Sequence, residues 1–131
     1  MEKKTILVVE DETEILKFII KKVEDGGFLA IAAKTVDEAL DILNKNKIDA
    51  LWVDHYLFGE KTGFDLIVEL KSHEDIWGKM PVFVVSNTTG PEDIQSYIEL
   101  GVNKYFVKSD ATLGQIVEEF KSLFASEAAV A

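Results

Sequence analysis

The sequence predicts an α/β fold in which a parallel sheet is wound by helices on both faces. Three observations carry the prediction. Short apolar runs rich in β-branched and aromatic residues alternate along the chain with segments of helical spacing. The runs are apolar at consecutive positions, as strands covered on both faces require, instead of alternating apolar and polar. Gly, Pro and Asn stand between the segments, where elements start and stop.

Five strand-like runs are expected, at Thr5–Val9, Phe28–Ala33, Ala50–Asp54, Val82–Ser86 and Lys104–Val107. The first helical segment follows from Ile15, Phe18, Ile19, Lys22 and Val23, which recur at i, i+3 and i+4. Val36, Ala39, Leu40 and Leu43 predict the second, behind a capping-box pattern of Thr35 and Glu38 with Asp37 in the first turn. Phe64, Ile67, Val68 and Leu70 predict the third, and Ile94, Tyr97 and Ile98 the fourth. Ile116, Val117, Phe120, Leu123 and Phe124 predict the fifth. Gly26-Gly27, Asn44–Asn46 and Gly101 mark helix ends, and Pro81 and Pro91 sit where a missing N–H is tolerated. Strict alternation with right-handed crossovers gives a doubly wound, five-stranded sheet of flavodoxin-like order 2-1-3-4-5. One domain is expected over 1–125, with 126–131 as a helix end or tail.

Bulk properties narrow the function. At 131 residues the chain is long enough for one core. It has no Cys, which excludes disulfides, thiolate chemistry and a Cys-based zinc site. The formal charge of −10, with all 14 basic residues Lys and scattered among acids, argues against direct nucleic-acid binding. The apolar run near the N-terminus is too short for a membrane span or secretory signal, so a cytoplasmic location is expected.

In a doubly wound sheet, ligands bind beyond the carboxyl ends of the strands. The first run ends in Glu10-Asp11-Glu12, the third in Asp54, the fourth in Ser86 and the fifth in Lys108. Strands one, three, four and five are neighbours in the expected order, so these groups gather at one edge. Clustered carboxylates repel and raise one another's pKa, a conflict that a divalent cation removes. An all-oxygen donor set suits Mg²⁺ or Mn²⁺. Phosphoryl transfer asks mainly for positioning and charge stabilisation, which a metal, a Lys and a hydroxyl supply. An Asp carboxylate is a competent nucleophile for it.

With those residues in that order, the sequence resembles the CheY-like receiver domains of two-component response regulators over residues 3–125. The resemblance rests on ILVVEDE at Ile6–Glu12, WVD ending in Asp54, VFVVS ending in Ser86 and KYFVK ending in Lys108. It implies that Asp54 is the phosphoacceptor and that Asp11 binds Mg²⁺ directly, with Glu10 reaching it through water. The backbone carbonyl of Tyr56 is implied as another ligand, Ser86 as the switch hydroxyl and Lys108 as the phosphoryl contact. Tyr105 is implied as the aromatic that follows the switch. A signalling function follows, with no enzymatic turnover beyond self-dephosphorylation. The phosphoryl group would come from a sensor histidine kinase or phosphotransfer protein, and output would pass from a stand-alone, monomeric domain to a downstream protein.

The sequence also departs from the family pattern. Phe58 stands where Pro is common, and Thr62-Gly63 arrives one residue late. Asn87 replaces a small residue, and Ser109 replaces the Pro that normally follows the Lys through a cis bond, which points to a trans bond here. Slow self-dephosphorylation is expected, because Tyr56 and Thr88 flank the acceptor without a group suited to positioning water. Taken singly, each residue has a plainer reading: an acidic helix start for Glu10–Glu12, a turn for Ser86, surface charge for Lys108 and packing for Tyr105. His55 and His73 have no metal-ligand spacing, and His55 is expected to face away from Asp54. The competing functions are an unphosphorylated pseudo-receiver that docks partners and an aspartyl-intermediate phosphatase. The phosphatase lacks an acid two residues past the nucleophile, where Tyr56 stands.

Overall fold

The computed structural model describes residues 2–57, 59–87 and 91–130, apart from the side chains at 91 and 128–130. Phe58, Thr88 and Thr89 therefore lie outside the described residues. In chain order the elements are β1 (Thr5–Val9), α1 (Thr13–Asp25), β2 (Leu29–Ala33), α2 (Val36–Lys45), β3 (Ala50–Val53) and α3 (Gly63–Ser72). There follow α4 (Glu74–Trp77), β4 (Val82–Ser86), α5 (Pro91–Glu99), β5 (Lys104–Val107) and α6 (Leu113–Val130). The strands form one parallel sheet in the order β2-β1-β3-β4-β5, as predicted.

The sheet divides the core in two. On one face Leu7, Val9, Leu51, Val53, Val82 and Val84 pack with residues of α2, α3 and α5. On the other, Ile6, Val8, Trp52, Phe83 and Val85 pack against α1 and α6. Phe120 of α6 stacks on Phe83 and Trp52, with ring centroids 3.9 and 6.2 Å away. The central strands β1, β3 and β4 are buried on both faces apart from Thr5 at the β1 entrance, which explains their continuous apolar runs.

Several expectations need correction. The described residues hold six helices where five were expected: α4 is a single turn of four residues, too short to leave a periodic stripe. The second strand begins at Leu29, while Phe28 turns into the core against Phe124. The third ends at Val53, so Asp54 stands beyond it. Phe18, Val68 and Ile98, expected on buried stripes, are 64, 43 and 52% exposed, because they flank stripes that the sheet only partly covers. In α1 the buried set is Leu16, Ile19 and Val23. Of the two readings of the C-terminal segment, the helix end stands, since α6 runs as far as Val130. Thr35 caps α2 through the Glu38 N–H as expected, but the reciprocal capping box stands at Thr62 and Asp65, at the start of α3.

Candidate functional site

Backbone pairing continues one residue past three strands and so fixes where the site residues begin. The Glu10 N–H donates to Ala33 at 3.0 Å, the Asp54 N–H to Val9 at 3.0 Å and the Lys108 N–H to Ser86 at 2.8 Å. Glu10, Asp54 and Lys108 thus emerge from the rigid sheet edge and not from free loops. Glu10 and Asp54 are 1 and 6% exposed, and Ser86, the last residue of β4, is fully buried.

Carboxylate oxygens of Glu10, Asp11 and Asp54 lie within 4.8 Å of one another. The Lys108 ammonium donates to Glu10 Oε1 at 2.9 Å and to Asp54 Oδ2 at 2.8 Å. Backbone donors hold the remaining oxygens: the Glu12 N–H meets Glu10 Oε2 at 3.2 Å, and the Tyr56 N–H meets Asp54 Oδ1 at 3.3 Å. Burial, opposed by the Lys108 hydrogen bond and aided by the charge of Asp54, pushes the Glu10 carboxyl up to about 7. Burial works against the Lys108 ammonium, yet its bonds to Asp54 and Glu10 leave its pKa raised.

One ammonium cannot balance three converging carboxylates. Their oxygens, close together and partly buried, make a donor set that fits a hard divalent cation such as Mg²⁺.

Gly63 brings α3 close to the acceptor. A Cβ at this position would stand 2.3 Å from the Asp54 carbonyl oxygen, and the Gly63 N–H donates to the His55 carbonyl at 2.9 Å. The late arrival of Thr62-Gly63 noted in the sequence is therefore followed by tight docking of α3. Asn87 and Ser109 are exposed, and the bond joining Lys108 to Ser109 is trans.

Two expected residues lie at different depths. Tyr56 is 58% exposed beside Asp54. Tyr105 is half-buried on edge strand β5 and packs on Tyr97, with centroids 5.6 Å apart, on the face of the sheet that carries α5.

The family profile of the response regulator receiver domain matches residues 6–120. The chain belongs to this family. It is 32% identical over 103 residues to the phosphate regulon transcriptional regulatory protein PhoB of Escherichia coli, covering 79% of this chain and 44% of that protein. It is 28% identical to the transcriptional regulatory protein YvrH of Bacillus subtilis, covering 82% of this chain and 44% of that protein. The chain thus spans under half the length of these relatives. Among solved structures, a response regulator receiver protein of Pseudomonas putida matches with a TM-score of 0.84 at 26% identity, covering 93% of this chain and 98% of that one. Receiver domains are signalling domains of two-component systems, and the receiver fold accounts for the sheet edge described above. No described helix is long and apolar enough to cross a membrane.

Sequence reasoning named Glu10, Asp11, Asp54 and Lys108, which the fold brings together. It missed that Lys108 bridges two acids, that Gly63 abuts the acceptor, and that the ring of His55 bonds the hydroxyl of Tyr97. Tyr97 is 1% exposed, and burial first of all drives its phenol pKa upward. The one signal for that pair was general: a buried Tyr hydroxyl needs a partner.

Proposed function

We propose that this receiver is a phosphorylation-dependent switch with Asp54 as its acceptor. The observation that carries the reading is the Lys108 ammonium 2.8 Å from Asp54 Oδ2, beside the oxygens of Glu10 and Asp11. Mg²⁺ or Mn²⁺ would be held by Asp11, Asp54 and the Tyr56 carbonyl, with Glu10 acting through water, and would supply charge neutralisation at the phosphoryl oxygens. A carboxylate oxygen of Asp54 attacks phosphorus while the bond from phosphorus to the donor breaks. The leaving group departs with that electron pair, and the product is an acyl phosphate. Lys108 pairs with a phosphoryl oxygen, Ser86 supplies a hydroxyl from the adjacent strand end, and Tyr105 follows Ser86.

The donor is a sensor histidine kinase or a phosphotransfer protein, and a downstream protein reads the result. The face that carries the output is the one made by α5, β5 and α6. A groove of about 870 Å³ runs along β5 and the start of α6, lined in part by Tyr105, Phe106, Asp110, Gln115 and Glu118. Glu10, Asp11 and Asp54 do not line this groove, which suits a reading surface distinct from the chemistry.

Intact mass after incubation with Mg²⁺ and acetyl phosphate tests the reading. A phosphoryl adduct that is lost in Asp54→Asn supports it. No adduct in either protein refutes it and favours a docking module that is never phosphorylated.

A further inference from the structure

Beside the acceptor stands a pair of side chains that the proposed chemistry does not use. Nδ1 of His55 is hydrogen-bonded to the hydroxyl of Tyr97, a fully buried residue of α5. The Tyr97 ring lies 5.7 Å from that of His55, 5.3 Å from that of Phe64 in α3 and 5.6 Å from that of Tyr105 in β5, centroid to centroid. Rings therefore connect the residue next to Asp54 with the edge strand of the output face.

The backbone of His55 is tied to the acceptor. Its carbonyl accepts the Gly63 N–H, and the peptide that joins it to Tyr56 donates to Asp54 Oδ1. A phosphoryl group on Asp54 changes the charge and bulk of the carboxylate that this peptide holds. The peptide must adjust, and the imidazole on its other side adjusts with it. In a close-packed core such a change passes to neighbouring rings as a discrete rearrangement. An open pocket of about 250 Å³, lined by His55, Thr62, Phe64, Asp93, Ser96 and Tyr97, borders these rings.

We propose that His55 and Tyr97 are positioning residues that carry the state of Asp54 to Tyr105, through their hydrogen bond and the packed rings, in parallel with Ser86. The inference rests on Asp54 being the acceptor, and the test separates the two claims. The chain has three tyrosines, Tyr56, Tyr97 and Tyr105, so protein labelled with 3-fluorotyrosine gives a ¹⁹F spectrum of three assignable lines. Spectra and intact mass are recorded on one sample with Mg²⁺ and acetyl phosphate.

In the wild-type protein the adduct forms and all three lines move. Tyr97→Phe keeps the ring and removes the hydroxyl. The adduct and the Tyr56 response persist there, while the Tyr105 displacement falls to roughly half or less. His55 is half-buried, so His55→Leu gives a second variant that should fold, with the same loss. His55→Asn restores a polar atom near the Nδ1 position and with it the Tyr105 response, a rescue that loss of packing alone would not show. A full Tyr105 response in both Tyr97→Phe and His55→Leu overturns the inference, as does a wild-type adduct that leaves the Tyr97 line unmoved. No adduct in the wild-type protein overturns the assignment of Asp54 and the inference with it.

Discussion

Lys108 pairs with two carboxylates at once, and its side chain is 22% exposed against 2% for Glu10 and 8% for Asp54. Removing one partner of such a group leaves the others charged and uncompensated. Lys108→Met should therefore lower the unfolding free energy by about 2–4 kcal/mol in the absence of divalent metal. Mg²⁺ should recover part of that loss, as read by urea denaturation with and without the ion. Glu10 adds a pH dependence. Its carboxyl is raised from 4.5 to about 7 in the folded protein, so the folded state favours the protonated form. Its stabilising contribution is complete below about pH 4.5 and is lost as pH climbs through about 7. Metal-free protein should lose on the order of 1–3 kcal/mol of stability across that range, and Glu10→Gln should flatten the slope.

At the scale of elements, the entry of α3 controls the acceptor loop. Thr62 and Asp65 cap the helix reciprocally, and Gly63 lets its first turn meet the backbone of Asp54. Gly63→Ala forces that turn away from Asp54, because the obstructing atoms are backbone and cannot swing aside. It should cost roughly 1–3 kcal/mol by thermal or urea unfolding and slow adduct formation, whereas Gly59→Ala, with open space around its Cβ but φ of +99°, should cost about 1 kcal/mol and leave the adduct unaffected. Much of the element pattern was legible in the sequence. The strand runs at Thr5–Val9, Val82–Ser86 and Lys104–Val107 stand as read: two-sided burial keeps β1 and β4 apolar, and the half-buried edge strand β5 is marked by its aromatic and β-branched residues. The turn at Glu74–Trp77 was not legible, since four residues hold no period, and the exposure of Phe18 depended on how far the sheet reaches over α1.

Across the whole molecule, the face that carries α1 and α6 is held by stacked aromatics drawn from separate elements. Phe120→Ala would remove the ring that stacks on both Trp52 and Phe83, and the loss should be about 3–5 kcal/mol, read from the denaturation midpoint at unchanged slope. The residues that converge at the sheet edge were legible because each lies at or just past a strand end, and strand order alone makes those ends neighbours. Lys108 as a bridge and Tyr97 as a partner of His55 were not, since both depend on side-chain direction across elements distant in sequence. The parallel ladder also limits how this chain tolerates change in length. Lys104, Tyr105, Phe106 and Val107 pair in step with Phe83, Val84, Val85 and Ser86. Deleting one residue inside β5 would exchange the faces of Tyr105 and Phe106 and turn Lys108 away from the acids, while the chain kept nearly all of its apolar content. Loops beyond the strand ends can lengthen, but the strands themselves are counted to the residue.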